Sequence, residues 1–416
     1  MKVLIVGAGA REHALAWKIS QSPRLSQLFV APGNAGTERL AQNVPIAAED
    51  VEGLLEWASR EAIDLTVVGP EVPLVEGIAD RFAARGLRVF GPDRHCAALE
   101  GSKVFSKAFM IRHGIPTALH ASFGDAEEAL AQLERWPHPL VVKASGLAAG
   151  KGVVICQDLD QSREAVRSIM RDRRFGQAGS EVVIEEFLEG TEASLLCLVS
   201  DNRLFPLESA RDYKKALDGD RGPNTGGMGC YSPNELFDQR LAEQVEREVL
   251  RPTRAALEAE GMRFFGVLFI GLMLTTEGPK VLEYNVRFGD PETEVILPRL
   301  RTDLLDLLEK TLDGSLRQDD LRWDPSPCVT VVMAAGGYPE AYQKGKPIRG
   351  LNQVGPEAMV FHAGTRSLDG QVLSNGGRVL NVTALAPTRA QARAIAYQNL
   401  RLIHFDDCFF RQDIAL

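Results

Sequence analysis

The sequence predicts an α/β fold in three parts, and three observations carry that reading. The chain opens with Lys2–Val6 (KVLIV), which has the make-up of a buried parallel strand and turns at once into a helix through GAGAREHALAWKIS. Three of the early strands run into small or turn-forming residues, in GAGAREH, APGNAG and VGPEVP. In an alternating βα sheet such loops gather at the carboxyl edge, where ligands bind. Past a stretch rich in Asp, Pro and Ser near Gly314–Pro327, the pattern becomes that of a small α+β unit. It runs from CVTVVMAAGGYP through RVLNVTALAP to a last helix at Arg389–Phe405.

Length and composition agree. The 416 residues leave room for about three domains and a sizeable core. A net charge of −9 and a pI near 5.5 argue against a protein that works by neutralising nucleic-acid phosphates. Six scattered cysteines with no C-x-x-C pair suggest neither a zinc site nor a disulfide scaffold, so reduced thiols in the cytoplasm are expected. MKVLIVGAGA is too short an apolar run for a signal peptide, and no window approaches eighteen uninterrupted apolar residues. Neither nucleic acid nor membrane is therefore expected as a partner; a monomer or weak dimer is expected.

In the first part, Ser26–Val30, Asp64–Val68 and Arg88–Phe90 read as strands, with helices at Val51–Glu61 and Leu74–Arg85. Gly7-Ala-Gly9 suggests a dinucleotide turn, but the third glycine of G-x-G-x-x-G is replaced by Glu12. The second strand ends in Ala31-Pro32-Gly33-Asn34 and lacks an acid for a ribose hydroxyl. The turn is better read as a phosphate-tolerant helix N-terminus with Arg11 for the anion. His13, one turn in, is as good a packed structural histidine as a ligand contact.

A boundary is expected near Leu99–Gly101. The next helix carries Lys103 and Lys107 at i, i+4, with Lys107 on a solvated face. In PLVVKASGLAAGKGVVIC, the β-rich runs Leu140–Lys143 and Val153–Cys156 flank a loop of small residues whose N–H groups can approach an anion. Lys143 and Lys151 would reach phosphates from two sides. The loop is no Walker A motif, because Ser145 and Gly152 stand where that motif needs Gly and Ser or Thr. Glu181–Phe187 reads as a strand running into a short linker able to meet an adenine edge, and Glu192 follows where ribose hydroxyls could lie. ARDYKKALDGDRGPNTGGMGCYSP reads as a long functional loop without clear secondary structure. Helices are expected at Asp238–Glu260 and Pro298–Leu312.

The richest stretch is Val281–Glu292, VLEYNVRFGDPE. Strand alternation puts Val281, Glu283, Asn285 and Arg287 on one face and Leu282, Tyr284 and Val286 on the other. Glu283 and Asn285 offer two hard oxygens at i, i+2, a spacing that suits Mg²⁺, and Arg287 adds a fork of donors for phosphate or carboxylate.

With GAREHALAW, APGNAGT, VGPE, KASGLAAGKGV, EEFLEGTEAS, GPNTGGMG, RFGDPETE, MAAGGYP and FHAGT in this order, the whole chain resembles the glycinamide ribonucleotide synthetase family of the ATP-grasp superfamily. The resemblance implies a preATP-grasp, Rossmann-like N-terminal domain (1–101) and an ATP-grasp domain (102–320) with a mobile lid at about 118–188. A C-terminal α+β domain (321–416) completes it. It implies ATP-dependent ligation of glycine to phosphoribosylamine through glycyl phosphate, the second step of de novo purine synthesis, with Mg²⁺ or Mn²⁺. Lys103, Lys143 and Lys151 would meet ATP phosphates, with Lys143, Lys151 and Arg287 acting in catalysis. Glu185 through Leu188, Phe187 included, would form the adenine hinge, and Glu192 would bind ribose. Glu283 and Asn285 would hold the metal. Phosphoribosylamine would lie toward Gly9, Arg11, Glu12, His13, Asn34 and Glu71, under the loop of Asn224, Thr225 and Gly226, with Asp290 alongside. Arg287 and Asp212 are candidates for glycine. Ala10, Ser145, Tyr213 and Glu294 depart from the family's usual Gly, Asp, His and Gln. Another ATP-grasp ligase or carboxylase would share the lysines, hinge and metal ligands but not GPNTGGMG or RFGDPE, and a nucleotide-sensing binding protein without turnover is a second alternative.

Overall fold

The computed structural model describes residues 1–148 and 150–416. Lys2–Gly7 (β1), Gln27–Pro32 (β2), Gln42–Asn43 (β3), Leu65–Val68 (β4) and Val89–Phe90 (β5) form an all-parallel sheet in the order β3-β2-β1-β4-β5. β1 is central, and Val3, Leu4, Ile5 and Val6 are fully buried. Leu4 and Val6 pack into one core and Val3 and Ile5 into another, which is why this strand reads as an unbroken apolar run. Because β2, β1 and β4 are parallel neighbours, the loops after them meet at one sheet edge. Helix α1, Ala10–Ile19, starts there.

The middle of the chain supplies two antiparallel sheets. One orders Arg203–Pro206, Thr191–Ser200, Phe265–Thr275 and Gly278–Asn285; the other orders His120–Phe123, Val182–Glu186, Leu140–Ala144 and Val153–Cys156. The second sheet has its own core, where Leu140, Val142 and Ile184 pack on Ala129, Ala165 and Val166 of two helices. The C-terminal sheet orders Arg211–Asp212, Gly229–Ser232, Cys328–Ala334, Arg378–Leu385 and Ala358–His362. Among the described residues, no helix is long and apolar enough to cross a membrane.

Four local expectations are corrected. The helix expected at Leu74–Arg85 is two, Glu71–Val75 and Ile78–Ala84, because Gly77 adopts a left-handed φ of 85° between them. The helix expected at Pro298–Leu312 is also two, Thr293–Arg299 and Leu304–Leu312; Leu300 turns extended to bridge Trp323, and Asp303 caps the second. The long loop after Ala210 contains strands, and Gly229–Ser232 pairs with Cys328–Ala334, about a hundred residues away. Finally, the register slips at Gly271/Leu272, opposite Glu283 and Val281, and leaves Leu282 as an extra bulged residue. Val281 therefore turns into the core with Tyr284 and Val286, while Leu282 joins Glu283 at the cavity.

The chain's end ties this loop down. Arg411 is 1% exposed; it donates to Lys215 O (3.0 Å), Asp220 Oδ1 (2.8 Å) and Asp413 Oδ1 (2.7 Å). Ala415 N donates to the Tyr213 hydroxyl (3.0 Å), a contact made by one of the residues that depart from the family pattern. Arg411→Ala leaves these acceptors without their shared cation and is expected to cost about 2–4 kcal/mol, measured as a lower urea midpoint and Tm.

Candidate active site

A cavity of about 750 Å³ opens where the N-terminal sheet edge, the two antiparallel sheets and the loop after Ala210 meet. Its floor is the strand Gly278–Asn285, which presents Glu283 and Asn285, with Arg287 just beyond. The helix Lys103–Arg112 forms one wall. Ser102 caps it by accepting from Phe105 N (3.1 Å), and its first N–H groups donate to Ser145 O (2.9 Å) and Ser145 Oγ (3.3 Å). The helix end is thereby docked on the strand that carries Lys143.

Lys103 and Lys107 share the cavity face of that helix, so the solvated face expected for Lys107 is corrected. Its side chain is buried, donates to Thr117 Oγ1 (2.7 Å) and pairs with Glu185 Oε2 (3.1 Å). Lys143 Nζ lies 2.9 Å from the same oxygen. Burial, only partly offset by Glu185, pushes the Lys107 ammonium down to about 8. Burial would raise the Glu185 carboxyl, but Lys143 and Lys107 outweigh it and hold Glu185 below the carboxylate range. Glu185, expected at an adenine hinge, lines the cavity and pairs there as a buried counter-charge with both lysines. Phe187 and Leu188 line the cavity just after it.

Glu283 sits in the field of four cations. Burial works to raise its carboxyl, yet Lys214, Lys103, Lys143 and Arg287 lower it and keep it ionised. Asn285 Oδ1 accepts from Arg287 Nη2 (3.1 Å), which orients the amide oxygen. Among the described residues no three His, Cys, Asp or Glu side chains gather around one point. The donor set is one ionised carboxylate and one amide oxygen, which suits a hard cation completed by phosphate oxygens and water.

Arg287 itself is engaged by acids: Nη2 is 2.9 Å from Glu100 Oε1 and Nε is 3.4 Å from Glu71 Oε2. Burial lifts Glu100 to about 7, with Arg287 opposing. Glu71 is held low, because Arg287 and Arg11 outweigh its burial. Across the cavity, Lys214 pairs with Glu192 Oε2 (2.9 Å). Asp212 is pushed up to about 7 by burial, with Glu292 and Glu192 adding to it against Lys214. Arg378 closes the site from the C-terminal sheet. It pairs with Asp290 Oδ1 (3.0 Å) and donates to Gly226 O (2.7 Å), so it fastens the Asn224–Gly226 segment over the cleft.

The structure brings Lys103, Lys143, Glu185, Phe187, Leu188, Glu192, Arg11, Glu71, Asp212, Asn224, Thr225, Gly226, Glu283, Asn285, Arg287 and Asp290 to this one cavity. Five expected residues stand apart. The Lys151 side chain is exposed at the rim, in a loop of which Ala149 lies outside the described residues. Gly9 N donates to Glu12 Oε2 (2.5 Å), and Arg11 Nε donates to Glu12 Oε1 (2.6 Å), so a carboxylate of the chain already occupies this helix N-terminus. Asn34 is buried and saturated: it donates to Ala8 O (2.9 Å) and His362 O (2.8 Å) and accepts from Gly36 N (2.8 Å). His13 Nδ1 accepts from His362 N (2.8 Å), which joins α1 to the C-terminal sheet.

Burial and the neighbouring His362 and Arg39 push His13 down to about 3, and burial with Arg39 pushes His362 to about 4. Both are neutral in the fold and would charge near 6.5 when unfolded. Their contribution is complete above pH 6.5 and is lost as pH falls from there, toward about 4 for His362 and about 3 for His13. Tm is expected to fall steeply over that window, and His13→Asn, which keeps an acceptor but cannot charge, to fall less. Parallel curves would remove His13 from the acid response.

Glu100, Lys214 and Arg378 are charged cavity residues that the sequence did not single out, and Lys107 is one it set on the wrong face. Only Lys107 carried a signal, its i, i+4 pairing with Lys103.

The chain is similar to known proteins along its whole length. Residues 1–100 match the N domain of phosphoribosylglycinamide synthetase, 101–293 its ATP-grasp (A) domain and 328–416 its C domain. A phosphoribosylamine–glycine ligase of Allochromatium vinosum is 53% identical over all of this chain and 98% of its own length. The crystal structure of the Thermotoga maritima phosphoribosylamine–glycine ligase superposes with a TM-score of 0.87 at 36% identity, covering 100% of both chains. The biotin carboxylase domain of Hydrogenobacter thermophilus 2-oxoglutarate carboxylase, solved with MgADP, shares the fold at a TM-score of 0.75 and 18% identity, over 98% of this chain and 91% of that one. Three domain matches in order, and a relative at this identity along the full length, mean that the chain belongs to the phosphoribosylglycinamide synthetase family.

Proposed function

We propose that the 750 Å³ cavity is where this chain joins glycine to phosphoribosylamine with ATP, through a glycyl phosphate. The ligation itself, a step of purine biosynthesis, is the activity of the family to which the chain belongs. A carboxylate does not condense with an amine in water, because its oxygen is a poor leaving group. Transfer of the γ-phosphoryl group to the glycine carboxylate makes phosphate the leaving group, and the amine of phosphoribosylamine then displaces it to form the amide.

The chain's part is to position and neutralise. Lys103 and Lys143 bring ammonium groups to the phosphates, and Lys151 meets them from the other side. Glu185, by pairing with Lys143 and Lys107, fixes the two ammonium groups. The backbone from Glu186 to Leu188 meets the adenine edge, and Glu192 meets the ribose. Glu283 and Asn285 would hold Mg²⁺ or Mn²⁺, which supplies charge neutralisation at the phosphates. Arg287, bound to Glu71 and Glu100, orients Asn285. Asp212, poised near 7, accepts the proton that the attacking amine loses. Holding both substrates and ATP together can supply about 7–11 kcal/mol of the barrier.

Residues 118–188 act as a lid that keeps water from the acyl phosphate; the sheet's own hydrophobic core supports movement as a unit. The chain works in the cytoplasm as a monomer or weak dimer on small molecules, without nucleic acid or membrane. The opening of Lys143, Glu283 and Asn285 onto one cavity carries the reading. ADP release should require glycine and phosphoribosylamine together and fail with alanine for glycine. Release driven by bicarbonate, or binding of ATP without turnover, would overturn it.

A further inference from the structure

Helix Thr293–Arg299 and strand Arg378–Leu385 meet just behind the cavity through two polar side chains that have almost no access to water. Glu294 is fully buried and Asn381 is 1% exposed. Asn381 Nδ2 donates to Glu294 Oε1 at 3.3 Å. The other terminal oxygen of each group, Glu294 Oε2 and Asn381 Oδ1, is buried without a hydrogen-bond partner. Two orphan acceptors on side chains that already touch through their other ends are costly if both lack a proton. One proton removes both defects.

We propose that Glu294 is a positioning residue that stays a neutral carboxylic acid in the folded protein and donates its Oε2 proton to Asn381 Oδ1. The acid and the amide then form a closed two-bond pair between the ATP-grasp part and the C-terminal sheet. The surroundings favour this. The charged groups facing Glu294 are Asp290 and Glu292 on its own segment and Arg378 on the opposed strand, with the Cys230 thiol on a third element. Asp290 already takes Arg378 at 3.0 Å. Burial and the nearby Asp290 raise the Glu294 carboxyl well above its ordinary range, with Arg378 only partly opposing. A charged Glu294 would compete with Asp290 for Arg378, the guanidinium that donates to Gly226 O (2.7 Å) over the cavity. Neutral Glu294 leaves that guanidinium on the loop.

The test compares wild type, Glu294→Gln and the reciprocal double variant Glu294→Gln/Asn381→Asp in thermal and urea unfolding from pH 5 to 8. A raised carboxyl in the fold makes wild type lose stability as pH climbs above the unfolded value near 4.3. Glu294→Gln supplies the same donor with no proton to lose. Its Tm should exceed that of wild type by a margin that widens with pH, up to about a tenfold relative gain in the folded-to-unfolded ratio per pH unit. The double variant moves the acid to the other partner and should regain the wild-type slope. A gap that is flat or reversed, a Glu294→Gln protein that fails to fold, or a double variant without the slope would each overturn the proposal. None of these readouts depends on the ligase reading.

Discussion

Lys143→Ala is expected to lower kcat/KM by about 10²–10³-fold, the usual loss when one preorganised donor is taken from a developing charge. The magnitude rests on where the ammonium stands. It is buried at the end of the strand Leu140–Ala144, 2.9 Å from Glu185 and among the groups that hold Glu283 ionised. Water cannot replace it there at the same strength, because the low-dielectric surroundings that make the charge effective also exclude the solvent. The fold should tolerate the change, since Lys107 lies 3.1 Å from the same Glu185 oxygen and leaves that carboxylate paired. Activity and stability are therefore expected to separate: a large fall in turnover with a Tm shift of only a few degrees. Lys143→Arg should not restore the rate, because a planar fork cannot take up the place of a compact ammonium between Glu185 and the cavity. Steady-state kinetics beside a melting curve checks both parts, and unchanged kcat and kcat/KM would take Lys143 out of the mechanism.

Glu283→Gln is expected to raise the Mg²⁺ concentration for half-maximal activity by at least about 10–100-fold, the range seen when only a ligand's supporting partner is lost. Glutamine keeps the shape and one oxygen but removes the charge. The neighbours amplify that loss: Lys214, Lys103, Lys143 and Arg287 all act on Glu283, and without it four cations face one another across the cavity. Lys103, already lowered by burial and raised by Glu283, should lose its proton more easily. A magnesium titration of ADP release measures the first effect, and Mn²⁺ binding followed by its spin resonance gives a reading independent of turnover. An unaltered titration would count against Glu283 as a metal ligand.

Much of this was legible along the chain because its signals are local. An unbroken apolar run such as Val3–Val6 reports a strand buried on two faces, and the glycine- and proline-rich turns after β1, β2 and β4 report a sheet edge. Glu283 and Asn285 could be paired on paper because two residues apart on a strand share a side. The same rule failed one step earlier, where the bulge at Leu282 sends Val281 into the core. Lys107 departs from expectation for a related reason: helical spacing puts it beside Lys103 but does not say which way that face looks. Ser102 docking on Ser145, and Glu185 waiting on the facing sheet, decide it.

The sequence by itself determined the three-part α/β plan, the family and the residues that set a carboxylate and an amide beside lysines. Tertiary structure alone decided which charges neutralise one another. Arg287 answers to Glu71 and Glu100, Lys214 to Glu192, and Arg378 arrives from the C-terminal sheet to hold Asp290 and Gly226. The reason is physical: strand and helix periodicities act over a few residues, whereas a buried charge finds its counter-charge across distant segments, through burial and separation that no local pattern encodes.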